Sequence, residues 1–282
     1  MKGIMIQGTA SNVGKSILTT SICRMLTNRG YAIAPFKSQN MSSQTVKLDE
    51  TREMAISQFE QAEASRLKPE AWMNPVLLKP LKNMRTEVFL LGESQGAISG
   101  ESYKDLYYEK ALQVIKEALV QAESMSDYVI IEGAGSPVEM NLRERDLANM
   151  AIAELADIPV LLVADIEKGG IFASIVGTLT LLSESERRRV KGLIINKFIG
   201  DISLFTDGMT WLEENTGLPV LGVIPHVEHQ LDEEDILHGT ESSEKPYLRN
   251  KEADYEKLAA HIEGHLDVEK LLHIMDGAHD GK

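Results

Sequence analysis

Gly8-Thr9-Ala10-Ser11-Asn12-Val13-Gly14-Lys15-Ser16 decides how the chain is read. An apolar run, Ile4-Met5-Ile6, precedes it, and Ile17-Leu18-Thr19-Thr20-Ser21-Ile22-Cys23-Arg24-Met25-Leu26 follows with helical apolar spacing. Strand, glycine loop and helix in that order is the context in which a phosphate-loop pattern denotes a site. Backbone N–H groups of such a loop and of the helix start point at phosphate oxygens. The glycines allow close approach, Lys15 brings a mobile positive charge, and the Ser16 hydroxyl suits Mg²⁺. Five residues separate Gly8 from Gly14, where the common pattern has four, so a variant loop is expected and not a GTPase-type one. The competing reading is a Gly-rich turn that only caps a helix, and the strand–loop–helix context argues against it.

The 282 residues suit one large domain or two small ones, and 43% hydrophobic content can supply a sizeable core. A formal net charge of −14 argues against nucleic acid, which needs a basic face. An anionic ligand must then be met by a local cluster of cations working against the overall field. The single cysteine, Cys23, excludes an intrachain disulfide and fits a reducing compartment. The apolar run Ile158 to Ala164 is too short to cross a bilayer, and the chain opens on a strand without a signal-peptide layout. No membrane partner and a cytoplasmic location are expected.

Apolar runs and helical spacings alternate along the rest. Strands are expected at 31–36, 76–78, 87–91, 128–131, 160–164, 192–195 and 219–224. Helices are expected at 49–67, 106–122, 146–156, 172–182 and 204–216, with two short ones near 253–262 and 267–275. Near-continuous apolar strands between helices signal an α/β fold, a mostly parallel sheet with helices on both faces. Residues 1–227 read as one domain, and 228–282 as a polar segment with short helices packed on it or trailing it. In such sheets ligands gather at the carboxyl ends of the strands. Lys15, Lys37, Glu132, Asp165 and Asn196 each follow an apolar strand.

Glu132 stands where a nucleotide hydrolase holds its second oxygen contact to Mg²⁺, and Gly133-Ala134-Gly135-Ser136 leaves room for a ligand beside it. An exposed acid at a strand end is the plain alternative. Lys37-Ser38-Gln39-Asn40 gathers one charge and three hydrogen-bonding side chains, an anion clamp. Glu53, Asp146 and Asp165 could ligate metal, position substrate or cap helices. Asn196 has the donor–acceptor edge that pairs with adenine, against the ordinary reading of an Asn in a strand-end turn. His261 and His265 sit four apart, but Glu263 between them does not complete H-E-x-x-H, so they read as solvated histidines. Arg187-Arg188-Arg189 reads as a solvated helix end.

Several longer stretches carry a resemblance. They are Gln7 to Ser16, Pro35-Phe36-Lys37-Ser38-Gln39-Asn40-Met41, Met73-Asn74-Pro75-Val76-Leu77-Leu78-Lys79-Pro80, and Ile131-Glu132-Gly133-Ala134-Gly135-Ser136-Pro137. Asn141-Leu142-Arg143, Arg145-Asp146, Leu161 to Ile166, Gly169-Gly170 and Ile194-Ile195-Asn196-Lys197-Phe198 continue it. To about residue 226 the chain resembles the cobyric acid synthase family, in the dethiobiotin-synthetase-like branch of P-loop NTPases. The resemblance implies an ATP- and Mg²⁺-dependent ligase of cobalamin biosynthesis, converting peripheral carboxylates of a corrinoid, adenosylcobyrinic acid a,c-diamide, to carboxamides. It implies Lys15 and Lys37 as catalytic cations. Nucleotide contacts would come from Gly8, Thr9, Asn12, Val13, Gly14, Lys15, Ser16, Ile17, Asn196 and Pro225. Ser16, Glu53 and Glu132 would meet the metal, and Ser38, Gln39, Asn40, Ser136, Asp146 and Asp165 the substrate.

Family members usually draw ammonia from glutamine through a C-terminal amidotransferase domain with a cysteine nucleophile. This chain ends near where that domain would begin, and Cys23 lies in the wrong helix. Ammonia would come from another chain, from a domain absent here or from solution, and a homodimer is left open. Lys82-Asn83-Met84-Arg85-Thr86 and Ala55-Ile56-Ser57 depart from the family pattern and bear on the acceptor. Two rivals remain: a ParA/MinD-like regulatory ATPase, whose loop carries an extra lysine not found at 9–13, and a ligase for another carboxylate, such as a dethiobiotin-type one. The ligase reading expects Lys15→Ala and Lys37→Ala to abolish turnover with the fold intact.

Overall fold

The apolar runs around the phosphate loop assemble as parallel strands. The computed structural model describes residues 1–81, 85–99, 107–141, 143–231 and 251–277. In chain order the first half comprises β1 (Gly3–Gly8), α1 (Lys15–Asn28), β2 (Ile33–Phe36), β3 (Gln39–Met41), β4 (Thr45–Lys47), β5 (Glu53–Ala55) and α2 (Ile56–Ala64). Then come β6 (Val76–Pro80), β7 (Arg85–Leu90), β8 (Glu93–Ser99), α3 (Tyr108–Met125), β9 (Tyr128–Glu132), α4 (Met150–Ala156) and β10 (Val160–Asp165). The last are α5 (Ile171–Leu181), α6 (Glu184–Arg189), β11 (Val190–Phe198), α7 (Thr206–Thr216), β12 (Val220–Pro225), α8 (Glu252–Glu263) and α9 (Val268–Met275).

Six strands form one sheet in the order β12-β11-β10-β1-β9-β2, each neighbouring pair parallel. Alternate residues of a strand point to opposite faces. Ile4 and Ile6 join Ile130, Val163 and Ile194 in the core beneath α1, α8 and α9. Met5 joins Val129, Ile131, Leu162 and Leu193 in the core beneath α2, α3, α4 and α5. Burial on both faces is why these strands read as unbroken apolar runs. The order reverses beside β1, which has β9 on one side and β10 on the other, and that reversal opens a crevice at the carboxyl ends.

Two regions differ from the sequence expectation. Residues 49–67 do not form one helix: β4 and β5 pair antiparallel, and α2 starts only at Ile56. The cause is Asp49, whose carboxylate accepts from the N–H groups of Thr51 (3.0 Å) and Arg52 (2.9 Å) and from Arg52 Nε (2.7 Å), closing a turn. Those bonds, the Thr51 N–H first, hold its carboxyl well below the usual range. The second difference is a four-stranded sheet, β3-β6-β7-β8, of which only the 76–78 and 87–91 strands are legible in the sequence. Leu91 (φ 49°) and Gly92 (φ 82°) join β7 to β8 in the left-handed conformation that two-residue hairpin loops require. The remaining elements lie within a few residues of their expected bounds, the 146–156 helix excepted, which starts at Met150. The polar runs at 232–235 and 239–245, Lys82-Asn83-Met84, Leu106 and Leu142 lie outside the described residues.

The C-terminal helices pack on α1. Arg24, with no exposed surface, donates to Glu252 (2.6 and 2.8 Å) and Glu256 (3.3 Å) of α8. Lys251 pairs with Glu60 of α2, and the Tyr255 hydroxyl donates to Glu63 (2.9 Å). His261 Nε2 meets Pro225 O and His265 Nδ1 meets His261 O, so the pair serves the backbone. Ser183 and Glu186 cap α6 reciprocally, with Arg187, Arg188 and Arg189 in its last turn. No helix among the described residues is long and apolar enough to cross a membrane.

Cys23 is fully buried in α1, and burial pushes its thiol up to about 12. A thiol reagent at pH 8 should leave the native chain unmodified and label it along the denaturant unfolding curve, since the thiolate is the nucleophile. Labelling of the native chain as fast as of the unfolded one would place α1 elsewhere.

Candidate active site

The loop after β1 is folded tightly back on itself. A Cβ on Gly8 would stand 2.6 Å from Val13 Cγ2, and one on Gly14 would stand 2.2 Å from Asn196 Nδ2. Asn12 (φ 60°) and Gly14 (φ 92°) both take the left-handed conformation that turns the chain into α1. Two loop carbonyls are tied to the end of β11: Asn196 Nδ2 donates to Val13 O (2.8 Å) and Lys197 Nζ to Asn12 O (2.6 Å). Asp165 on β10 pairs with the same ammonium at 3.1 Å. In a trans peptide the N–H opposes the C=O, so tying the carbonyls back turns the next N–H groups into the loop. No side chain caps α1, whose first intrahelical bond runs from Leu18 N to Gly14 O. The donors of Lys15, Ser16 and Ile17 therefore face the loop as an anion cradle.

The chemistry converges on Glu132. Register sets Glu132 beside Ile6 of β1, and sets Phe36, the residue before Lys37, beside Ile131. Ser16 Oγ donates to Glu132 Oε1 (2.7 Å) and Lys37 Nζ to the same oxygen (2.9 Å). Gln61 Nε2, from α2, donates to Oε2 at 2.5 Å. Glu132 is 1% exposed and Lys37 3%, so the pair is buried, and its hydrogen bonds offset part of the hydration that burial removes. Lys15 Nζ donates to Ala10 O (3.2 Å) and Gly135 O (3.0 Å), which stretches it across the cradle. A hydroxyl and a carboxylate meeting at a phosphate cradle are the hard oxygen donors that Mg²⁺ takes beside phosphates and water, so the residues fit that ion. Among the described residues there is no group of three or more acidic, His or Cys side chains to cage a metal outright.

The other expected residues separate into two sets. Near the site, Ser38 Oγ donates to Leu147 O (2.7 Å), Asn40 Nδ2 to Gln58 Oε1 (2.7 Å), and Gln39 opens β3. Ser136 is buried where Asn149 Nδ2 reaches Ala134 O (2.7 Å) and Ser136 O (3.4 Å). Thr9 N bonds Val163 O, which keeps the loop start in line with the sheet. Pro225 closes β12, with its carbonyl facing His261. Two acids are engaged locally. Asp146 accepts from the N–H groups of Ala148, Asn149 and Ala151, which delays α4 to Met150. Glu53 is not joined to Ser16 or Glu132, because it lies on β5 against Thr45 Oγ1 (2.5 Å) and Lys79 Nζ (2.9 Å). Burial opposes its ionisation, and those two bonds outweigh it and lower its carboxyl. Sequence reasoning missed Gln61, Lys197 and Asn149; of these only Lys197 carries a signal, its place at a strand end.

Lys37 also requires a correction. As half of a buried pair it holds Glu132, so Lys37→Ala is not expected to leave the fold untouched.

A profile of the CobQ/CobB/MinD/ParA nucleotide binding domain matches residues 4–235. The chain belongs to that family. It is 50% identical over 235 residues to a probable cobyric acid synthase of Methanothermobacter thermautotrophicus, covering 83% of this chain and 47% of that protein. It is 46% identical over 277 residues to a probable cobyric acid synthase of Thermococcus kodakarensis, covering 97% of this chain and 53% of that one. The chain thus spans about half the length of the curated relatives it matches. Among solved structures, MinD of Aquifex aeolicus aligns at 15% identity over 98% of this chain and 96% of that one, with a TM-score of 0.44.

Two measurements test the geometry. Gly14→Ala should weaken nucleotide binding more than tenfold and cost about 1–3 kcal/mol of stability, since a Cβ meets Asn196 in a left-handed conformation. Lys37→Met and Glu132→Gln should each cost about 3–5 kcal/mol in denaturant melts, as each strands a buried partner. Their double variant should cost clearly less than the sum. Additive losses would mean that the two groups are not paired.

Proposed function

We propose that this chain is the ATP-dependent synthetase portion of a cobyric acid synthase. It amidates peripheral carboxylates of a corrinoid, adenosylcobyrinic acid a,c-diamide, in cobalamin biosynthesis. The observation that carries the reading is the meeting of Ser16 and Lys37 on Glu132 at the phosphate cradle. It occurs in a chain 46–50% identical to proteins bearing that name.

A carboxylate resists ammonia. Its oxygen therefore first attacks the γ-phosphorus of ATP, the bond to the ADP oxygen breaks, and an acyl phosphate forms. Ammonia nitrogen then bonds the acyl carbon, phosphate departs with the bridging oxygen, and the nitrogen loses a proton. The obstacle is bringing one anion against another. Two unit charges about 4 Å apart repel by roughly 4 kcal/mol at an effective dielectric near 20. At about 1.4 kcal/mol per tenfold, that is close to a thousandfold in rate. Lys15, which reaches Gly135 O, and Lys37, which shares Glu132 Oε1 with Ser16, offset it in this reading, with no protein nucleophile required. Mg²⁺, held by Ser16 and Glu132, would supply further positive charge at the phosphates. Cys23, buried with its thiol raised, is no candidate for releasing ammonia from glutamine. Ammonia reaches the site from a glutaminase domain or chain, or from solution.

The test is incubation with ATP, Mg²⁺, ammonium and a panel of corrinoid, dethiobiotin-precursor and other carboxylates, read by mass. Each amidation lowers product mass by about one unit and removes one negative charge. Corrinoid amides should form, and Lys15→Ala should abolish them. ATP hydrolysis stimulated by a protein partner with no amide formed would favour the MinD-like reading. Near-normal turnover by Lys15→Ala would remove the cradle from the mechanism.

A further inference from the structure

Glu132 has a neighbour that the proposed chemistry does not use. Gln61 stands fully buried on α2, and its Nε2 reaches Glu132 Oε2 at 2.5 Å while Ser16 and Lys37 share Oε1. The contact fixes the amide's orientation, because turned over it would set its oxygen against a carboxylate oxygen. Gln61 Oε1 is buried and has no hydrogen-bond partner among the described residues. It shares a carbon with Nε2, so it lies beside the Glu132 contact. A buried carbonyl without a donor is uncommon and costly, which points to a donor arriving with a ligand. The helix is also held from elsewhere: Glu60 pairs with Lys251, and the Tyr255 hydroxyl donates to Glu63 (2.9 Å). Gln61 is thus presented to Glu132 by a fixed helix.

We propose that Gln61 is a positioning residue of the metal site. Its N–H holds Glu132 in the rotamer that presents Oε1 to Ser16, and its carbonyl oxygen accepts from water in the hydration shell of bound Mg²⁺. Mg²⁺ dehydrates reluctantly and keeps several waters, whose O–H groups are the donors that the carbonyl lacks. Partners that hydrogen-bond a ligating carboxylate orient it, and their loss typically costs 10–100-fold in metal affinity. Methionine would fill the space with no comparable donor or acceptor, and glutamate would set a like charge against Glu132.

The inference rests on the Mg²⁺ contact proposed for Glu132 and is independent of which carboxylate is amidated. A fluorescent ATP analogue is titrated into the parent chain and into Gln61→Met, once with excess Mg²⁺ and once in EDTA. The parent should bind more tightly with Mg²⁺. The variant should lose about tenfold or more of that gain, with its EDTA affinity kept and a cooperative melt that still lies above the assay temperature. Gln61→Leu serves the same comparison where Gln61→Met melts early. An undiminished Mg²⁺ gain, an equal loss in both buffers, or failure of both variants to fold would each overturn the proposal. Absence of any Mg²⁺ gain in the parent would overturn the metal contact itself, a result visible before any substitution is made.

Discussion

A carboxylate almost out of contact with water is the constraint on which this structure depends. An ionised group taken into a protein interior loses several kcal/mol of hydration, and only well-placed donors offset that. Glu132 draws its donors from three separate elements: Ser16 from the first turn of α1, Lys37 from the end of β2, and Gln61 from α2. None of the three can shift far without stranding the charge. The sheet supplies the accuracy, because β9 lies between β1 and β2 and its register sets the acid beside Ile6 of β1 and one residue beyond Phe36, the last of β2. The ion pair therefore fixes where the phosphate loop, the Lys37 strand and the helix above them stand relative to one another.

The loop itself is one residue longer than the common spacing, and the extra length is carried by a strand that does not adjoin it. β10 lies between β1 and β11, yet Asn196 and Lys197 reach back past it to the carbonyls of Val13 and Asn12. Asp165, on the intervening strand, pairs with Lys197 and so holds the bracing cation in place. A longer loop has more freedom to lose when it orders around a phosphate. Two tied carbonyls remove much of that freedom beforehand, which is the usual route to tighter binding.

The large sheet was legible in the sequence because its strands are buried on both faces, so Ile4 to Ile6, Tyr128 to Ile131 and Val160 to Ala164 carry no polar interruption. The smaller sheet was not, for the opposite reason: β8 reads Glu93-Ser94-Gln95-Gly96-Ala97-Ile98-Ser99 and gains its order from hairpin pairing with β7. The same division runs through the site. Lys37 and Glu132 stand at strand ends, and Lys15 and Ser16 open the helix after the glycine loop, where position alone implicates them. Gln61 stands inside a helix, where a buried amide looks like any other residue until the carboxylate it holds is seen. Nothing in the sequence tells that Glu53 meets Lys79, because the two lie on strands of different sheets.

Charge is distributed to match. The chain carries a formal net charge of −14, yet Lys37 after β2, Lys15 at the start of α1 and Lys197 near the end of β11 all stand at the carboxyl edge of the sheet. Glu132 pairs with Lys37 and Asp165 with Lys197, so each of these cations is held in a fixed place at the crevice. On the far side of α1 the polarity is inverted: one buried arginine, Arg24, is met by Glu252 and Glu256, and Lys251 by Glu60. Glu60 and Gln61 are consecutive, and about 100° of helix rotation separates them. One therefore faces the C-terminal helix while the other faces Glu132, so α2 is clamped between the two. The helices that follow residue 250 are thereby connected to the phosphate site through a single turn of α2.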